Sequence, residues 1–449
     1  MVDAPLLQDA TNVSKGPGVL SYETSTSLKD ATAFYQEQIP GLGWKAEGDP
    51  SVTDTAAFLG YKKAASPRDW LLSADFQFSG WRTSNAILIL PCKNQSMKEQ
   101  TGRREIVPWV DLIRVVAIYL VVLAHVSGQL TDAWGKVSTS QWGIANVYGS
   151  IARACVPLFF MLSGYLLLPR SESLRALYTK RMPKLVIPLI VWSMIYLDWY
   201  CGNHPNTCTP GFIWNLLLVQ GAYYHLWFLY SLISIYLILP VLRLMIRPDT
   251  DKRILWYLIV LWLIFQPLLT TANRFWNFNI NIRAPLATSF VCYFILGYLL
   301  GEVTLSRSRV ILAAVIWVIG TLSTVIGTYL LTRSSGKFDG FFYDFVSLSV
   351  IPASGAAFIL LRWISETKPF ISPKVQAVMR GLAISAFGIY LIHPIFIEVL
   401  SDWIPFLHIN SFMGNAIWSV LLVNTIVFLV SFIAVRIIQR ISILKSITP

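Results

Sequence analysis

From Trp109 onward the chain runs in apolar stretches near 20 residues, divided by short polar segments. At a helical rise of ~1.5 Å per residue, such a stretch reaches about 30 Å, the hydrocarbon thickness of a bilayer. Ten membrane helices are predicted, at about 109–129, 148–168, 185–202, 225–246, 254–272, 286–303, 310–331, 342–361, 381–400 and 413–435. Phe212–Val219 is too short to cross and reads as an interfacial helix. The first 96 residues are patterned differently. Gly18–Tyr22, Phe58–Lys62, Trp70–Phe78 and Asn85–Pro91 are alternating or continuous apolar runs bounded by turn residues, and Trp44 opens another. Ser27 is placed to cap a helix through Gln36, with Phe34 and Tyr35 on its apolar side and Pro40-Gly-Leu-Gly43 at its end. The pattern predicts an all-α polytopic membrane bundle of about ten transmembrane helices, preceded by a small soluble α/β module. The expected division is 1–96 for the soluble α+β module, 97–108 for a linker, 109–440 for the membrane domain and 441–449 for a C-terminal tail. Met97-Lys-Glu-Gln looks like the start of a shorter protein, as if the module were added to a complete membrane unit. No fixed-period repeat and no symmetry between halves is visible.

Composition agrees with the pattern. Apolar residues make up 55% of the chain and charged residues 13%, with a mean hydropathy of +0.57. An ordinary soluble domain carries about 25% charged residues, so a soluble enzyme, a disordered chain and a collagen-like rod are excluded. The net charge of +12 points to nucleic acid only until the chain is divided. Residues 1–96 hold 8 Lys and Arg against 10 Asp and Glu; residues 97–449 hold 28 against 14. The positive charge thus sits in the membrane half, where it orients helices, and the expected surroundings are a lipid bilayer with no nucleic acid. If the first span enters from the cytoplasm, 21 of those 28 residues fall in inner segments and 5 in outer loops. This split predicts ten spans with both termini cytoplasmic. The first 30 residues carry no signal-peptide pattern.

Charged and polar groups inside apolar spans are costly and are the natural candidates for chemistry. The first span carries Asp111, Arg114 and His125. Arg114 and His125 are 11 residues apart, close to three full turns, so they share one face at roughly 16 Å along the axis. Asp111, one turn before Arg114, is placed to pair with it. The plain alternative is an arginine that snorkels to the interface and a histidine that closes the outer end. Arg153 opens the second span from outside, as an anchor or a site residue. His225 stands at the start of the fourth span beside Trp227 and Tyr230, which an aromatic belt alone would explain. Ser163-Gly164 reads as close helix packing. His393 precedes Pro394 in the ninth span, as a packed or a catalytic histidine, and Glu302 ends the sixth at the interface. Cys201 and Cys208 flank His204 in an outer loop, open to a disulfide, free thiols or zinc. Zinc lacks a fourth ligand there, and no metal centre is expected.

The motifs together resemble the integral-membrane acyltransferase 3 family. Asp111-Leu-Ile-Arg114 with His125 is similar to its opening helix. Arg153-Ala-Cys-Val-Pro157-Leu-Phe-Phe160-Met-Leu-Ser163-Gly164-Tyr165 resembles its second span, and Tyr224-His225-Leu-Trp227-Phe228-Leu-Tyr230 its fourth. Tyr293-Phe-Ile-Leu-Gly297-Tyr298 and Gly388-Ile-Tyr390-Leu-Ile-His393-Pro394 are similar to later segments. The resemblance implies a membrane O-acetyltransferase of the bacterial inner membrane. It would move an acetyl group from acetyl-CoA, used as substrate with no bound cofactor, to a hydroxyl of an envelope glycan or lipid-linked sugar. In that reading His125 is the base or transient acyl carrier and Arg114 steers the donor. Lys180, Arg181 and Lys184 meet the donor phosphates, and Asp111, Arg153, His225, Tyr230 and His393 support them. The partner of the N-terminal module is left open. The alternative reading is a transporter or flippase of a glycan or small amphiphile that uses the same polar pathway.

Overall fold

The structure is a computed structural model. It describes residues 6–16, 19–24, 26–41, 44–46, 51–52, 56–63, 70–79, 82–91, 108–170, 172–204, 207–217, 221–246, 251–278, 289–367, 372–403, 409–442 and 444–449. Most of the expected linker, together with Lys98, Arg103, Arg104, Arg247, Arg283 and Lys368, lies outside the described residues. The chain divides into two compact units, Met1–Glu105 and Ile106–Pro449.

The first unit carries strands β1 (Thr11–Gly16), β2 (Val19–Thr24), β3 (Trp44–Ala46), β4 (Ser51–Val52), β5 (Ala56–Lys63), β6 (Trp70–Ser79) and β7 (Arg82–Pro91). They form one sheet in the order β1-β2-β7-β6-β5-β3, with β4 also on β5, and every pairing is antiparallel. Helix α1 (Leu28–Gly41) packs against β3 and β5. Ala31, Tyr35 and Ile39 recur every fourth residue and are fully buried, so one stripe of α1 faces inward. The Ser27 hydroxyl accepts from the Asp30 amide at 3.2 Å, which satisfies one of the free N–H groups at the helix start. Strands β1 and β4 are additions to the elements expected from the sequence. Thr11–Gly16 lacks a run of large apolar residues, and its pairing comes from β2 across the turn.

The second unit is helical: α2 (Pro108–Thr131), α3 (Thr139–Ala152), α4 (Cys155–Leu167), α5 (Leu174–Ala176), α6 (Pro183–Asn203), α7 (Pro210–Asn215), α8 (Trp227–Leu244), α9 (Lys252–Leu263), α10 (Leu269–Trp276), α11 (Ser289–Glu302), α12 (Arg307–Ser335), α13 (Val350–Thr367), α14 (Pro373–Glu398) and α15 (Ala416–Ile438). Eight helical runs among the described residues are long and apolar enough to cross a membrane. Those runs join α3 to α4, α5 to α6 and α9 to α10. The other two predicted positions hold α11, a shorter apolar helix, and α13, which carries Arg362 and Glu366 in its last turns. The join between α3 and α4 has a local cause. Pro157 has no N–H to give the Arg153 carbonyl four residues back, so the ladder breaks at Arg153. Pro267, inside the wide turn Ile264–Leu268, joins α9 to α10 in the same manner.

Helix α2 is the centre of this unit, packed against α3, α4, α13, α14 and α15. Contacts at its start define one end of the unit. Trp109 lies 4.6 Å from the Tyr165 ring and 5.6 Å from Phe358, and the Arg362 guanidinium sits over it. Arg362 donates to the Leu300 and Val303 carbonyls, where the last turn of α11 has no helical partner. Glu302 pairs there with Lys252 at the start of α9. Arg243 at the end of α8 donates to the Leu167 carbonyl that closes α4. At the opposite end, Trp142 donates to the Thr131 carbonyl, Gln141 to Gly414, Trp199 to Glu398 and Arg274 to Asp339. Cys201, in the last turn of α6, forms a disulfide with Cys208 at that same end.

Where α4 and α11 cross, there is no room for a side chain. A Cβ on Gly164 would stand 1.8 Å from the Phe294 carbonyl oxygen, and one on Gly297 would stand 1.9 Å from that of Met161. Apolar surface gains little by leaving lipid, so tight backbone contact of this sort is a main source of helix association in a bilayer.

Candidate active site

Three of the five histidines converge near the disulfide end of α2. His125 stands on α2, His225 just before α8, and His393 within α14. The His125 and His393 ring centres are 5.2 Å apart with planes at 32°. His225 lies 5.5 Å from His393. Tyr224 meets His125 edge-on at 4.9 Å, and Tyr196 and Tyr390 meet His225 edge-on at 5.0 and 5.2 Å. Two hydroxyls tie the backbones: Tyr390 donates to the His225 carbonyl at 2.5 Å, and Tyr196 to that of Leu391 at 2.6 Å.

The sequence dictates the setting of His393. Pro394 has no N–H, so the Tyr390 carbonyl four residues back loses its helical donor. His393 Nδ1 lies 2.8 Å from that oxygen and 3.1 Å from the Ile389 oxygen. A carbonyl only accepts, so Nδ1 carries the proton. His393 Nε2, like both ring nitrogens of His225, is buried without a hydrogen-bond partner among the described residues.

Arg153 reaches the same place from the break between α3 and α4. Its Nε donates to the Gly149 carbonyl at 3.2 Å, and its guanidinium lies over the Tyr343 ring at 4.6 Å and the Phe345 ring at 5.4 Å. Between these groups is a cavity of about 160 Å³. His125, Arg153 and His225 supply polar lining; Val121, Ala124, Val156, Phe159, Phe228 and Phe345 supply much of the apolar wall, with Cys155 and Tyr390. The site therefore offers an imidazole, a guanidinium and a space with mostly apolar walls, a setting suited to acyl chemistry.

Other candidate residues stand elsewhere. Arg114 is three turns away at the start of α2. There Asp111 takes its Nη1 at 3.5 Å and Arg380 Nη1 at 3.0 and 3.1 Å. Arg114 and His125 share a helix, yet Arg114 does not line the cavity. Tyr230 is held outside it by the Leu217 carbonyl, 2.8 Å away. Lys180 and Lys184 are exposed, whereas Arg181 is engaged by Glu172 at 2.6 and 2.8 Å, with Arg243 at 3.3 Å from the same carboxylate. Partial burial pushes the Glu172 carboxyl up, but hydrogen bonds and charge from Arg181 and Arg243 outweigh it and hold the group below its usual range.

Three features escaped the reading of the sequence. Arg380 is the partner of Asp111 from 269 residues away, a separation that no local spacing reveals. Glu398 takes the Trp199 indole at 2.7 Å and the Tyr223 hydroxyl; it is a carboxylate in a predicted span, a signal that was open to use. Cys155 lies in the cavity wall as a free thiol.

The sequence model of the acyltransferase 3 family, described as an acyltransferase domain, matches residues 107–436. No curated protein and no solved structure matches the chain with significance. The matched stretch takes in almost the whole helical unit, with the three histidines, Arg153 and, among the described residues, all but the last two residues of the apolar runs long enough to cross a bilayer. On that match, the chain belongs to the acyltransferase 3 family and is a multi-pass membrane acyltransferase.

Proposed function

We propose that this acyltransferase moves an acetyl group from acetyl-CoA to a hydroxyl of an envelope glycan or lipid-linked sugar, with His125 as general base. One observation carries the reading: the His125 ring and the Arg153 guanidinium line the same cavity. An alcohol is a weak nucleophile until a base takes its proton. His125 takes the proton as the acceptor oxygen bonds to the acyl carbon. The carbon–sulfur bond breaks, and the proton ends on the departing thiolate. Arg153 faces the negative charge that gathers on the carbonyl oxygen.

The donor enters at the end of the helical unit that carries Arg114, Arg181, Arg243 and Arg380. Arg114 steers it, and Lys180, Arg181 and Lys184 receive its phosphates as point charges or as a guanidinium fork. That end is the cytoplasmic one, by the excess of positive charge in its loops. The chain then crosses the inner membrane ten times, with α11 and α13 as the remaining two crossings and both termini inside. Residues 1–96 form a soluble appendage, joined through 97–108 to the membrane domain 109–440.

Purified protein in detergent is tested with labelled acetyl-CoA. The expected result is release of CoA thiol by the wild type and loss by a factor of about 100 or more in His125→Ala, as for removal of a general base. Full turnover in the variant refutes the base assignment. A transporter using the same pathway would consume no acetyl-CoA at all. Mass analysis of surface glycans and lipid-linked sugars, with and without the chain, then identifies the acceptor by an acyl mass increment.

A further inference from the structure

Resting on the reading of His125 as base, we propose that His393 is a positioning residue whose Nε2 lone pair holds the proton of His125 on the ring nitrogen away from the cavity.

By leaving the Tyr390 carbonyl without a helical donor, Pro394 gives the Nδ1 proton of His393 a fixed destination, with the Ile389 oxygen beside it. A neutral imidazole has one donor and one acceptor. With the donor committed, Nε2 must be the acceptor. It is buried without a partner among the described residues, and a buried acceptor left unmet is costly. A ring nitrogen lies about 1.1 Å from its ring centre. Rings 5.2 Å apart leave room for about 3 Å between nitrogens, a hydrogen-bond distance, once a nitrogen of each ring is turned to the other. The bond is not formed in this structure, and a reorientation of the His125 ring would close it.

Its chemical consequence is direct. If the inner nitrogen of His125 holds the proton, the outer one presents a lone pair to the cavity and can accept from the acceptor hydroxyl. During transfer His125 becomes imidazolium and needs an acceptor for its second N–H, which His393 supplies. No carboxylate is required, and the proton still leaves His125 for the thiolate. His225, at 5.5 Å and 78° from His393, lines the cavity and competes for the same lone pair, but His125 is the nearer ring.

Two substitutions separate this role from a structural one. Asn at 393 can place its amide N–H near the Nδ1 position and keep the bond to the Tyr390 carbonyl, without a group at the Nε2 position. Gln can place its amide oxygen near the Nε2 position and lose the other bond. CoA release from acetyl-CoA by the full chain in detergent is expected to fall about tenfold or more in His393→Asn, mostly in kcat with KM little changed. His393→Gln is expected to recover most of that loss. The reverse order, Asn active and Gln impaired, shows a merely structural histidine and overturns the proposal, as does equal activity in both. Nitrogen-15 spectra of ring-labelled histidine give a second readout that does not depend on turnover. The wild type and His393→Gln should show one His125 tautomer and His393→Asn a mixture. A mixture already present in the wild type, or a change confined to His225, also overturns it. If His125→Ala keeps full turnover, the base reading fails, and the spectra still decide whether His393 sets the tautomer of His125.

Discussion

At the residue scale, the site depends on two prolines that withhold hydrogen bonds. Pro394 frees a carbonyl that fixes His393, and Pro157 opens the helix at Arg153 so that its side chain turns toward the cavity. Arg153 is then held by stacking over Tyr343 and by the Gly149 carbonyl. Removing a group that faces a developing oxyanion typically costs a factor of about 100–1,000 in kcat, so Arg153→Ala should lose that much CoA release, with the folded yield retained. Arg153→Lys keeps the charge but loses the planar stack, and should fall between the two. The histidines and Arg153 were legible as polar groups in apolar spans with recognisable neighbours. Their convergence was not, because four segments far apart in sequence carry them. Arg114 shows the limit of periodicity: helical spacing placed it on the same stripe as His125, but the carboxylate of Asp111 and the cavity walls decide where each group acts.

At the element scale, the contact of α4 with α11 is the least tolerant place in the helical unit. Gly164→Ala puts a methyl into the Phe294 carbonyl, so the two backbones must part. Overpacking of this kind costs about 1–3 kcal/mol or more, and the melting temperature of the detergent-solubilised protein should drop. Gly143 is the control. It lies within α3 with nothing within 4 Å of an added Cβ, so Gly143→Ala should leave the melting temperature unchanged or raise it. The clamp of Glu172 between Arg181 and Arg243 predicts a pH effect with a definite sign. Its carboxyl is held below the ordinary value of 4.5 in the folded chain. The clamp therefore stabilises fully above that value and fades as pH falls through the lower, folded one. Glu172→Gln should remove this part of the acid sensitivity, read as a flatter melting temperature below pH 5. The sequence made the long helices plain, since apolar runs of 18 or more residues leave little choice. It did not reveal the divided second span, which follows from a proline.

At the scale of the whole molecule, positive charge provides the organising pattern. Arg243, Lys252, Arg362 and Arg380 share one end of the helical unit: Arg243 pairs with Glu172, Lys252 with Glu302 and Arg380 with Asp111, and Arg362 donates to the Leu300 and Val303 carbonyls. Impermeant cysteine labelling tests the proposed sidedness. A cysteine introduced at Lys180 should react only after the membrane is opened, and one introduced at Lys136 should react in intact cells; the opposite result would invert the topology. The Cys201–Cys208 bridge should show as an alkylation gel shift that appears only after reductant. That bridge also bears on how the protein is made. A host whose outward-facing compartment lacks thiol oxidation would still insert the helices, but it would leave the stretch between α6 and α7 unfastened. The choice of expression strain, and the omission of reducing agents from purification buffers, would then govern whether a preparation carries that loop in its native closed form.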